Sequence, residues 1–338
     1  MKTKFVFYCI ATTISLSVLL SCTERLPKVG HIDVDFKLIP FYEDLFSISP
    51  DSASISEKKE YLIAQYGDFF EAYSIKIVGA GSVNDEYFPV FMAKFLEYEA
   101  NQEVVDTCKK IFNNLHKLEN EISKAFKYYK YYFPDNLIPD VYLHISGFNQ
   151  PIAIDSSWVS VSVENYLGEN CIFYEWLEVF VYLRKKMTPE KVVPDIMKAI
   201  AMTEFEYDNS IDDLCSRMVY NGMIHYFIKK TNPKIKNELL FDMTSEEIKW
   251  CKLYEKMMWS SIVERKHLFT TDRLIIQKYL NDAPFSYYFG QESPGRTGVY
   301  LGYRIVENYI KRNPEISLQQ LMEQTDYHRI FRGSGYRP

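Results

Sequence analysis

Asn221 and His225 stand one helical turn apart on an apolar stripe that runs through Ile211, Leu214, Cys215, Met218, Val219, Gly222 and Tyr226. Two metal ligands on a helix can share that i, i+4 spacing. One His beside a neutral Asn makes a poor zinc pair, because zinc prefers His, Cys and carboxylate. The plainer reading of His225 is a satisfied core histidine. Gly222, in mid-stripe, costs about 1 kcal/mol against Ala, which the close approach of a second backbone would explain. Glu204 and Glu206 offer a carboxylate pair, although a solvated helix end accounts for them as well. No serine or cysteine follows a nucleophile-elbow pattern. The run Ser293-Pro294-Gly295-Arg296-Thr297-Gly298 lacks Walker A spacing, so it predicts a helix start, with Ser293 capping and Pro294 opening it. Gly298 and Gly302 then share one side of that helix and predict a second element crossing close to it.

A second chemistry is written at the N-terminus. Met1 to Lys4 is basic, Phe5 to Leu20 is apolar or small, and Leu19-Leu20-Ser21-Cys22 follows. The apolar run is too short for a membrane span and reads as a secretory leader. Leu-Leu-Ser-Cys resembles a bacterial lipobox, with cleavage at Ser21-Cys22 and acylation (palmitate among the chains) of Cys22. Residues 1–21 are then a lipoprotein signal peptide and 22–30 a tether. Losing Lys2 and Lys4 makes the mature chain two units more acidic than the −6 of the whole. Cys108, Cys171, Cys215 and Cys251 remain. Their spacing matches no CxxC site, and each falls in a helical pattern, so free thiols and disulfides both stay open.

These residues are carried by 338 positions, of which 47% are hydrophobic and 25% charged, enough for a sizeable core. Only 13 Gly and 14 Pro argue for long helices over a many-stranded sandwich. The acidic balance and the lack of a basic run exclude nucleic acid as the expected partner. Residues 31–38 alternate apolar and polar and predict a strand. Residues 57–66, 87–99, 102–112 and 114–132 predict helices. Val141–Ile145 and Trp158–Val163 have strand composition, with turns at Gly147 and 149–151. After Gly168 the patterns are helical: 171–187, 188–206, 208–229, 244–265, 294–312 and 317–324. Together they give one α+β domain over 31–338, mostly helical, with a small sheet.

Several of these segments resemble the gliding-motility lipoprotein GldB family. They are the lipobox, Val163-Glu164-Asn165-Tyr166-Leu167-Gly168, Trp250-Cys251 with Trp259, Ala283-Pro284-Phe285-Ser286, the block from Ser293 through Gly302, Tyr303 and Tyr309, and the ending Tyr336-Arg337-Pro338. The resemblance implies a lipid-anchored component of the cell envelope, facing the periplasm from the outer or inner membrane. Its implied partners are envelope proteins of the gliding and type IX secretion machinery. The family also looks distantly like zincin-type metallopeptidases, which carry HExxH on a helix. Here the matching helix, about 189–206, holds no His, and the third ligand station is matched by Asn221 before Gly222. The comparison thus implies a zincin-like scaffold without metal, cofactor or catalytic residue. Its vestigial cleft would hold Asn221, Gly222, His225, Glu204 and Tyr303. The expected role is binding, as a non-enzyme. The alternatives are a zincin-like hydrolase with an unrecognised site and a lipoprotein that takes a glycan or other ligand on its aromatic residues.

Overall fold

The structure is a computed structural model and describes residues 26–338. Cys22, the leader and the start of the tether lie outside them. Short β1 (Leu38–Ile39) leads into α1 (Phe41–Leu45), α2 (Ser52–Ala72), α3 (Phe88–Glu97), α4 (Glu99–Ile111) and α5 (Leu115–Tyr132). Strands β2 (Asp140–His144), β3 (Ile152–Ile154) and β4 (Trp158–Ser162) follow, and a 3₁₀ turn over Val163–Tyr166. Then come α6 (Ile172–Trp176), α7 (Val181–Arg184), α8 (Val192–Glu204), α9 (Leu214–Thr231), α10 (Asn237–Phe241), α11 (Ser245–Leu253) and α12 (Glu255–Glu264). The chain ends with α13 (Arg273–Leu280), α14 (Thr297–Arg312), α15 (Leu318–Met322) and α16 (Tyr327–Ser334). The fold is α+β, mostly helical, as expected.

The strands form one sheet in the order β1-β2-β4-β3. β1, β2 and β4 run parallel, with Val141 opposite Val159, while edge strand β3 is antiparallel to β4. The period of two divides the strand residues between two apolar layers. Val141, Leu143, Val159 and Val161 enter the main core with α5, α8 and α9. Tyr142 and Trp158 face the aromatic layer of α1–α3, where Phe69 stacks on Tyr142 at 3.9 Å. Because both faces are covered, the whole of β4 is buried.

Local chemistry explains where the expected elements shift. The strand predicted over 31–38 is reduced to Leu38–Ile39. Asp140 Oδ1 takes the Lys37 N–H at 2.7 Å, which ends the ladder there, yet Val34 and Phe36 still pack on the core. The helix predicted over 57–66 begins earlier, at Ser52 capped by Asp51, and continues beyond a kink at Gly67, where φ is 49°. The helix predicted over 171–187 is broken into α6 and α7, because Glu178 turns left-handed at φ 53°. Ser293 caps nothing. Its hydroxyl donates to Gly290 O at 2.6 Å, and α14 starts four residues later, behind Arg296. Strand β3 and helices α10, α13 and α16 were not expected. The four cysteines are free thiols, with Cys108, Cys215 and Cys251 buried and Cys171 partly so.

Candidate functional site

Helices α9 and α14 cross with their backbones in contact, at Gly222 and Gly302. A Cβ built on Gly222 would lie closer than 3.0 Å to Gly302 O, and one on Gly302 equally close to Met218 O. Gly298 is similarly tight against Tyr279 and Leu280. The expected cause of these glycines, a crossing backbone, is the observed one. α8 packs on α9 and against edge strand β3.

Beside α8 and the start of β3 lies a cavity of about 570 Å³. Its floor is the charged stripe of α8, with Asp195 and Lys198. Asn165 and Tyr166 from the turn after β4 and the α6–α7 segment also line it. The end of α10 contributes Asp242.

A buried ion network ties these parts together. Asp242 ion-pairs with Arg296, and its Oδ1 is 2.5 Å from Lys191 Nζ. Lys191 Nζ also donates to Leu239 O at 3.0 Å and lies 3.3 Å from Asp195. Arg296 Nε is 3.8 Å from Asp282, which takes Lys186 at 2.5 Å. The Tyr166 hydroxyl donates to Asp195 at 3.1 Å. Asp242 and Arg296 are both left-handed, each at φ 58°, a conformation that costs a non-glycine residue energy and recurs at functional sites. Burial alone would raise the Asp242 carboxyl, but Lys191 and Arg296 outweigh it and hold it well below the usual range. Lys198 has no hydrogen bond and no ion pair with the described residues. Burial, and next the charge of Arg296, lower its affinity for a proton.

The five residues expected in the cleft fall otherwise. His225 is buried behind the cavity, its ring stacked at 5.8 Å on Phe241. Its Nδ1–H donates to Asn221 O at 2.7 Å. Burial, then the charges of Arg296 and Lys198, push its pKa down to about 3. The Asn221 side chain turns away, donating to Arg217 O at 2.8 Å. Tyr303 meets Phe241 edge-on at 5.2 Å and Tyr226 at 6.3 Å. Glu204 sits at the far end of α8, where Tyr129 and Asn136 donate to it, the latter at 2.6 Å. His225, Phe241 and Tyr303 are thus gathered; Glu204 is not with them, and none of the five lines the cavity. No group of three His, Cys, Asp or Glu side chains among the described residues is placed to hold a metal ion.

With this geometry in view, one comparison decides the family. The family model described as gliding motility protein GldB matches residues 23–338, nearly the whole chain. The chain belongs to the GldB family. No curated protein and no solved structure matches it. The GldB block from Ser293 onward therefore contains Arg296, and the GldB segment at Val163 contains Asn165 and Tyr166. Asn165 and Tyr166 line the cavity, and Arg296 pairs with Asp242 at its edge. Lys191, which precedes α8, and Asp195 and Lys198 on it are spaced i, i+4, i+7, a signal legible in the sequence. Asp242 has no such signal, since its role comes from the end of a five-residue helix. No described helix is long and apolar enough to cross a membrane.

Proposed function

We propose that this GldB-family chain is a lipid-anchored component of the gliding and type IX secretion machinery that acts by binding, without catalysing a reaction. The reading of Cys22 as an acylated N-terminus supports the anchor, which raises the local concentration of the domain for envelope partners. One observation carries the non-enzymatic part. The cleft beside α8 is organised by paired charges, Lys191 and Arg296 on Asp242, with Arg296 and Asp242 both strained into place. A general acid or base must be free to exchange its proton near working pH, and a carboxylate held this firmly ionised is not. His225, neutral and stacked on Phe241, is in the same position.

Complementation of a deletion strain tests the role. Deletion should impair surface movement or secretion. Cys22→Ala should release the protein from membranes or leave an uncleaved precursor. His225→Gln and Glu204→Gln, if folded, should restore function fully. Loss of function in folded His225→Gln would instead favour the hydrolase reading.

A further inference from the structure

The charges around the cavity do not balance. Asp242 is matched by Lys191 and Arg296, Asp195 by Lys191, and Asp282 by Lys186 and Arg296. Three carboxylates thus use three cations, and Lys198 remains over, facing the cavity. His225 adds no charge near neutral pH. A second unmet group belongs to another lining residue. The side-chain nitrogen of Asn165 is buried and has no hydrogen-bond partner among the described residues, and Asn165 as a whole is 9% exposed. A buried amide donor without an acceptor is costly in a native structure, and the partly exposed Lys198 ammonium is left without a paired carboxylate among the described residues. A ligand toward which the Asn165 amide turns satisfies both.

We propose that this cavity binds an amphipathic monocarboxylate, with the carboxylate on Lys198 Nζ, the Asn165 amide turning to meet it, and the apolar body along Ile152, Val179, Leu183 and Met202. The inference rests on the binding role proposed above and names the ligand class of the same cleft. A single negative charge matches the single surplus cation. A phosphate dianion would bring a second charge beside Asp195 and Asp242, with no second free cation to meet it. Beside the paired Asp195, Asp242, Asp282 and Lys186, the wall is largely apolar, so the body of the ligand replaces water at apolar surface. About 570 Å³ lies within the range of small-ligand sites. The lowered proton affinity of Lys198 has the sign expected of an ammonium that awaits its counter-charge.

The test is calorimetry on the full chain in nanodiscs, with empty nanodiscs as reference. The probes are hexanoate and neutral hexanamide, then Ala-Leu-Leu with a free carboxyl end and the same tripeptide as its amide. Hexanoate or the free tripeptide should bind saturably, at least tenfold tighter than its amide. Lys198→Met should weaken that binding at least tenfold, and so should Asn165→Asp, which places a carboxylate against the ligand. A tighter tripeptide identifies a chain end as the source, and a tighter hexanoate a free acid; either upholds the site. If Lys198→Met fails to fold, Asn165→Asp and the chemical-shift change of the Lys198 ammonium on adding hexanoate decide. Equal binding of acids and amides, no binding at all, or indifference to the variants overturns the site but leaves the binding role standing. Hydrolysis of the tripeptide overturns the non-enzymatic reading, and tight binding of the acids would still uphold the site.

Discussion

Gly222 of α9 rests against the carbonyl of Gly302 of α14, with no side chain between the two helices. The obstacle on each side is backbone, which cannot rotate away, so an added methyl must push the helices apart. Gly302→Ala should therefore destabilise the protein by about 3 kcal/mol, and Gly222→Leu by at least as much. Urea midpoints at constant m-value measure it. A change below about 0.5 kcal/mol for both would mean that the helices separate freely.

The Asp242–Arg296 pair is buried, so removing one partner strands the other. Asp242→Asn should cost about 3–5 kcal/mol. The double change Asp242→Leu with Arg296→Met leaves no stranded charge and should cost clearly less than the sum of the two single changes. A double-mutant cycle reads that coupling, and strict additivity would show that the pair contributes nothing.

His225 gives a pH dependence of defined sign. Its folded pKa is pushed down to about 3, below the ordinary 6.5, so the unfolded chain binds the proton more tightly. Its contribution is whole above pH 6.5 and is lost as pH falls toward 3, by about 1.4 kcal/mol per pH unit. His225→Gln should remove one proton from the linkage. The stability difference between pH 7.5 and pH 5 should then shrink by about 2 kcal/mol. Parallel wild-type and variant curves would show that the ring is protonated in the fold.

Glu164 ties down the loop that leads to the edge strand. Its Oε1 accepts from Ser146 N at 2.6 Å, Ser146 Oγ at 2.9 Å and Phe148 N at 3.2 Å, and Phe148 is held at φ 63°. Glu164→Ala should cost about 3 kcal/mol and speed amide exchange over residues 146–150. Burial raises this carboxyl, so its contribution is whole in acid and declines as pH rises through the raised value. Glu164→Gln should accordingly gain on wild type between pH 5 and pH 8. Unchanged exchange in Glu164→Ala would show that the loop holds itself.

Much of the scaffold was legible. The alternation in Val141–Ile145 and Trp158–Val163, the stripes of α8 and α9 and the costly glycines all point to the observed packing, because each is a local pattern with one physical cause. Broken pieces were harder. At Glu178 a left-handed residue interrupts a pattern that looks helical, and at Ile152–Ile154 three residues are too few to show a period. The site was the least legible part. Its residues come from six segments, and what sets Lys198 apart is that no described residue pairs with it, a property that only the assembled structure has.

The ion network also bears on how fast the fold comes apart. Asp242 and Arg296 are 54 positions apart in sequence, and Lys191 reaches Leu239 across 48. Closing such loops costs chain entropy before the contacts return anything, so these pairs close late, after the helices have collected. Bonds absent from the folding transition state act on unfolding alone. The charges beside the cavity thus work as a latch. Weakening them should leave the refolding rate nearly unchanged and shorten the lifetime of the native state.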